Sequence, residues 1–81
     1  MKPNLEKIDD AVLALLYLTS FREGNHEFAV TRAWKGHDWD ALGRLHAKGL
    51  ISDPVGKAKS VVMSEAGERQ ARELFEKLFC D

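Results

Sequence analysis

Apolar positions along the chain alternate between helical and strand spacing, and they divide it into five elements. Ile8, Val12, Leu15 and Leu16 recur at i, i+4, i+7 and i+8, the period of a helix. Asn4 is a suitable N-cap, with Asp9 and Asp10 early in the helix. Leu13, Tyr17 and Leu18 lie around the other side, so this helix is apolar nearly all round and is expected to be buried on two faces. Glu23-Gly24-Asn25 reads as its stop signal. Phe28, Val30, Arg32 and Trp34 then alternate with Ala29, Thr31, Ala33 and Lys35, which predicts a short strand. A helix from about His26 to Lys35, capped by Asn25, is the competing reading.

Beyond Gly36, Asp38 caps a predicted helix that places Trp39, Leu42, Leu45 and His46 on one face and ends at Gly49. Its outer face carries Asp40, Ala41, Arg44, Ala47 and Lys48, with Asp40 and Arg44 spaced for an i,i+4 pair. Leu50-Ile51-Ser52 starts a hairpin, Asp53-Pro54-Val55-Gly56 has type I turn chemistry, and Lys59–Met63 returns. Ser64 caps the last helix, whose stripe is Ala71, Leu74, Phe75 and Leu78, broadened by Phe79. The predicted class is α+β: helix, short strand, helix, two-stranded hairpin, C-terminal helix, in a single domain over residues 1–81.

At 81 residues the core is marginal, and no second domain or dinucleotide-binding fold fits. The single Cys80 excludes an intrachain disulfide framework and a cysteine-rich zinc site. The longest wholly apolar run, Ala11–Leu18, falls short of the ~20 residues needed to span a bilayer. Glu6, Asp9 and Asp10 stand where a signal peptide would be basic. The expectation is a soluble cytoplasmic protein without membrane contact. Its second apolar helical face calls for a homodimer, with Leu13, Tyr17, Phe75 and Phe79 as candidate interface residues.

Charge is uneven. Residues 1–31 and 61–81 each net −2, whereas 32–60 net +3. Arg32, Lys35, Arg44, Lys48, Lys57 and Lys59 supply that basic middle and are the candidate DNA contacts. No catalytic motif is present, so no catalytic residue, cofactor or enzyme activity is expected. His37, Asp40 and His46 are too scattered for a metal site, and none is expected. Two tryptophans within Arg32–Asp40 offer a partner surface or a cation–π cluster with Arg32 or Lys35; against that, Trp34 and Trp39 are expected to anchor the core.

The segment Leu45-His46-Ala47-Lys48-Gly49-Leu50-Ile51, the basic turn, and Val61-Val62-Met63-Ser64-Glu65-Ala66-Gly67 together resemble the winged-helix superfamily, most closely MarR- and PadR-type regulators. Through Arg32–Asp40 the chain also looks like a small bacterial winged-helix family of unknown function. The resemblance covers about residues 38–70 and implies a recognition helix, a wing and contact with double-stranded DNA. Two functions stay open: a non-enzymatic DNA-binding module of the regulator type, or a protein-interaction or dimerisation module that does not bind DNA. Asp38 and Asp40, at the end of the helix that would meet phosphates, pull toward the second.

Overall fold

The computed structural model describes residues 1–25, 27 and 29–81. It contains α1 (Leu5–Leu18), β1 (Ser20–Glu23), β2 (Val30–Trp34), α2 (Trp39–Ala47), β3 (Ser60–Met63) and α3 (Glu65–Phe79). The strands form one antiparallel sheet in the order β1-β2-β3. Each helix begins at the cap its sequence announces. Asn4 accepts from the Lys7 amide, Asp38 from Ala41 and Ser64 from Gly67, and each thereby satisfies a backbone donor that the first helical turn leaves free.

α1 is the centre of the fold, packed against α3, α2 and β2. This answers the expectation of two buried faces within one chain. Leu13 and Leu16 are both enclosed, so Leu13 belongs to the core and not to a dimer interface. The sheet turns Thr31, Ala33, Val61 and Met63 inward, where all four are buried. Ala41, read from sequence as an outer-face residue, is also fully buried.

Three further expectations are corrected. α1 stops at Leu18, because the Thr19 hydroxyl donates to the Leu15 and Leu16 carbonyls and Ser20 Oγ to that of Tyr17. The chain that follows becomes β1, pairing Phe21 with Arg32 and Glu23 with Val30. The strand predicted over Phe28–Trp34 is observed from Val30 to Trp34, where the competing helix would have run; His26 and Phe28 lie outside the described residues. The two-stranded hairpin reduces to one Ile51–Met63 bridge, extended by Ser52 N–H to the Val62 carbonyl, while β3 pairs along its length with β2. The Asp53 carboxylate accepts from the Val55 amide and shapes the loop there.

Gly43 sits exposed in the middle of α2, and a methyl group added to it would meet nothing within 4 Å. Glycine inside a helix costs ~0.5–1 kcal/mol relative to alanine. Gly43→Ala should therefore raise Tm by a few degrees in a thermal melt. An unchanged or lower Tm would mean that this turn of α2 is not helical.

Candidate functional site

The six candidate DNA cations divide into two groups. Four have partners within the chain, Lys48 while remaining exposed. Arg44 grips the Asp9 carboxylate with both arms of its guanidinium: Nε lies 3.0 and 2.9 Å from the two oxygens, and Nη2 lies 2.8 Å from Oδ1. Lys48 Nζ adds a longer contact to the same carboxylate at 3.4 Å. Asp9 is 2 % exposed. The hydrogen bonds from Arg44 hold its carboxyl below the ordinary range against the opposing push of burial. The same pairing raises Arg44 above its ordinary value. The i,i+4 pair expected between Asp40 and Arg44 thus gives way to a partner on α1.

Lys35 Nζ donates to the carbonyls of Pro54, at 2.6 Å, and Gly56, at 3.1 Å, tying the loop 53–59 to the end of β2. The same ammonium lies 5.9 Å from the centre of the Trp39 ring. Arg32 Nε donates to Ser60 Oγ at 2.9 Å and faces Glu23 at 3.8 Å. Lys57 and Lys59 are exposed, and their ammonium groups form no ion pair among the described residues.

The aromatic side chains overturn the expectation that tryptophans anchor the core. Trp34 is 52 % exposed and Trp39 54 %. The buried cluster is aliphatic, built from residues such as Leu13, Leu16, Leu42, Leu45, Ile51 and Val61, with Tyr17 packed only at its margin. Five rings instead form two groups towards the surface, on either side of a shared hollow. Phe79 lies 5.7 Å from Phe75, and Phe75 lies 5.4 Å from Tyr17. Tyr17 and Phe75 share an open hollow of about 380 Å³ with Leu18 and Phe21. Phe21 in turn sits 5.3 Å from Trp34 on the outward face of the sheet.

Of the candidate interface residues, the structure therefore brings together Tyr17, Phe75 and Phe79 and removes Leu13. Phe21 and Leu18 join them without having been singled out as interface residues, and so does Trp34, which the sequence offered as a partner surface but favoured as a core anchor. The available signal for Phe21 was the Thr19-Ser20 pair, a poor continuation of a helix, followed by a segment able to pair with Val30–Trp34. Charges beside the rings occur as matched pairs. Arg22 Nη1 donates to Thr31 Oγ1 at 2.8 Å and lies 3.8 Å from Glu68, while Thr31 Oγ1 donates to Glu68 at 3.0 Å.

α2 and the loop 53–59 border an open hollow of about 430 Å³, lined by Trp39, Gly43, Pro54 and Val55 among others. His46 Nδ1 lies 3.0 Å from the Ile51 carbonyl oxygen. Among the described residues, no group of three or more His, Cys, Asp or Glu side chains is placed to hold a metal ion. No helix among them is long and apolar enough to cross a membrane.

A family described as Domain of unknown function (DUF6429) matches residues 4–81. A relative from Sinorhizobium fredii (strain NBRC 101917 / NGR234), "Uncharacterized protein y4hR", is 51 % identical over 79 residues, which is 98 % of this chain and 97 % of the relative. No solved structure matches the chain. The chain belongs to the DUF6429 family.

Proposed function

We propose that this DUF6429 protein is a non-enzymatic protein-interaction module, a small scaffold that presents exposed aromatic rings to another protein chain. One observation carries the reading: Trp34 and Phe79 stand exposed, with Phe21 beside the first and Phe75 and Tyr17 half-buried beside the second, while the core is filled by aliphatic side chains. Contiguous exposed apolar area is uncommon on monomeric proteins and marks association sites. Aromatic residues are enriched at the centres of such sites.

DNA binding through α2 and the loop 53–59 is the second reading. It draws on Lys57 and Lys59, and on the Ile51–Met63 bridge, which gives the segment 50–63 a reduced wing. Each phosphate contact needs an available cation. Arg44 and Lys48 are held by Asp9, Lys35 by two carbonyls, and Arg32 by Ser60 and Glu23. A helix-turn-helix also requires a helix before the recognition helix. The chain enters α2 from strand β2.

The discriminating measurement is fluorescence anisotropy of a labelled mixed-sequence duplex titrated with the protein at low salt. The interaction-module reading expects no binding up to about 50 µM, within the range where non-specific DNA binding is ordinarily seen. Binding that weakens steeply with salt and is lost in a Lys57→Glu/Lys59→Glu variant would replace it with the DNA reading.

A further inference from the structure

We infer that the outer edge of β1 takes up an extended segment of another protein as a fourth strand, with an apolar side chain of that segment seated in the hollow beside Phe75. This rests on the interaction-module reading and names the kind of chain that is bound. β1 is the first strand of the order β1-β2-β3, and among the described residues no strand lies on its other side. Along an antiparallel pair, alternate residues turn both N–H and C=O away from the partner strand. Half of the main-chain groups of Ser20–Glu23 therefore point outward, and no backbone hydrogen bond from elsewhere among the described residues reaches them. The opposite edge of the sheet is occupied: Ile51 bridges Met63, and Ser52 N–H donates to the Val62 carbonyl.

Edge strands are commonly guarded by charged side chains. On β1 both charges are drawn back across the sheet. Arg22 Nη1 donates to Thr31 Oγ1 on β2 at 2.8 Å, and Glu23 lies 3.8 Å from Arg32, also on β2. A free strand edge selects its occupant by main-chain complementarity. A helix has its own main chain satisfied, and nucleic acid carries no row of amide donors and carbonyl acceptors at the strand repeat. An extended peptide matches both.

The hollow beside the edge specifies the side chain. Ser20 and Arg22 pair with Ala33 and Thr31, which β2 turns inward, so they mark the helix side of β1. Tyr17 from α1 and Phe75 from α3 line the hollow of about 380 Å³ together with Leu18. A strand added alongside β1 carries alternate side chains on the helix side, where this volume has room for a branched aliphatic group. A second copy pairing β1 antiparallel with β1 is the wrong occupant. It brings Ser20 and Arg22 to that side, and neither fills an apolar hollow. β1 has only four residues, so its hydrogen bonds are few and the hollow has to supply the selectivity.

The probe is an end-blocked heptapeptide in which leucine and threonine alternate between a terminal lysine and a terminal glutamate. It is titrated into the nitrogen-15-labelled full chain and followed by two-dimensional amide NMR to about 1 mM, the range of a weak contact. Amide shifts should concentrate on β1 and around Tyr17 and Phe75. Methylating the peptide nitrogens of one alternate set should abolish binding, and methylating the other set should leave it, because only one set faces β1. Phe75→Ser should weaken binding by about tenfold or more. Leu18→Ser should also weaken it while far-UV circular dichroism stays native, since Leu18 is 60 % exposed. No shifts at about 1 mM, equal effects of the two methylated sets, or shifts centred on Trp34 or Phe79 and away from β1 would overturn the inference. Shifts of the β1 amides on raising the protein concentration alone would put a second copy on the edge and overturn it equally. None of these outcomes removes the interaction-module reading, which falls only to duplex binding.

Discussion

A Gly67→Ala variant should lose most of its stability, with Tm lowered by about 15 °C or more or no cooperative melt at all. Gly67 is buried in the first turn of α3, where the backbone of the helix lies directly on Leu50. A methyl group there would overlap the Leu50 carbonyl oxygen and stand 2.8 Å from its carbonyl carbon and 3.1 Å from its Cα. The obstacle is backbone and cannot rotate away, so α3 would have to shift as a unit. Overpacking of this kind costs ~3 kcal/mol, and each kcal/mol lowers the Tm of a domain this size by ~4–8 °C.

That helix cannot shift cheaply, because the Leu50 junction is tied from both sides. Ser64 N–H donates to the Leu50 carbonyl at 3.0 Å, and Ser64 Oγ–H is shared between the carbonyls of Gly49, at 2.8 Å, and Leu50, at 3.2 Å. The same oxygen accepts from the Gly67 amide. On the other side Leu50 N–H closes onto Leu45, and Gly49 holds φ +76°, a left-handed conformation that favours glycine at a helix end. Wild-type melting in Gly67→Ala would mean that α3 does not rest on Leu50. The contrast with Gly43→Ala is instructive: the same substitution in another helix is expected to stabilise, because there the added methyl group meets no neighbour.

This junction also explains which parts of the fold could be read from sequence. Gly49 and Ser64 answer to local backbone demands, so the end of α2 and the start of α3 were legible, and so were the caps Asn4 and Asp38; the hairpin expected between them was not, since only the Ile51–Met63 bridge forms. β1 was not legible, because a four-residue strand exists only by pairing with Val30–Trp34. The period-2 pattern placed Trp34 on one face of a strand, yet periodicity does not say whether that face is covered. Hence Trp34 and Trp39 were expected in the core, and both stand in the open. The cations of the basic middle were legible as charges but not as free charges. Arg44 finds its carboxylate 35 residues earlier in the chain, at a separation that helix spacing rules do not reach.

That distant pairing sets up the second large effect. Arg44→Met should lower Tm by about 10–20 °C at pH 7, since it strands the Asp9 carboxylate in the core with Lys48 as its remaining ion-pair partner. Leaving a buried charge uncompensated costs ~3 kcal/mol or somewhat more. In the wild type Asp9 is held below its ordinary value, chiefly by the hydrogen bonds from Arg44. Its contribution is therefore complete above the unfolded value of about pH 4 and is lost as pH falls through the lower folded value. In Arg44→Met the balance reverses. Burial is then opposed only by Lys48, the carboxyl moves upward, and the folded variant takes up a proton more readily than its unfolded chain. The stability gap between the two proteins should accordingly be widest near neutral pH and shrink on acidification toward pH 4. Thermal melts from pH 7 to pH 4 check the sign, and a gap that stays constant would show that a stranded carboxylate is not the cause. A double variant, Asp9→Leu/Arg44→Met, separates charge from packing. Replacing both members of a buried pair with apolar groups is often neutral or stabilising, so the double variant should recover most of the loss. Recovery would identify the pair as a device that fixes how α1 meets α2, with Arg44 serving the fold and unavailable to a phosphate. A double variant no more stable than Arg44→Met would mean that the guanidinium stabilises α2 through packing alone.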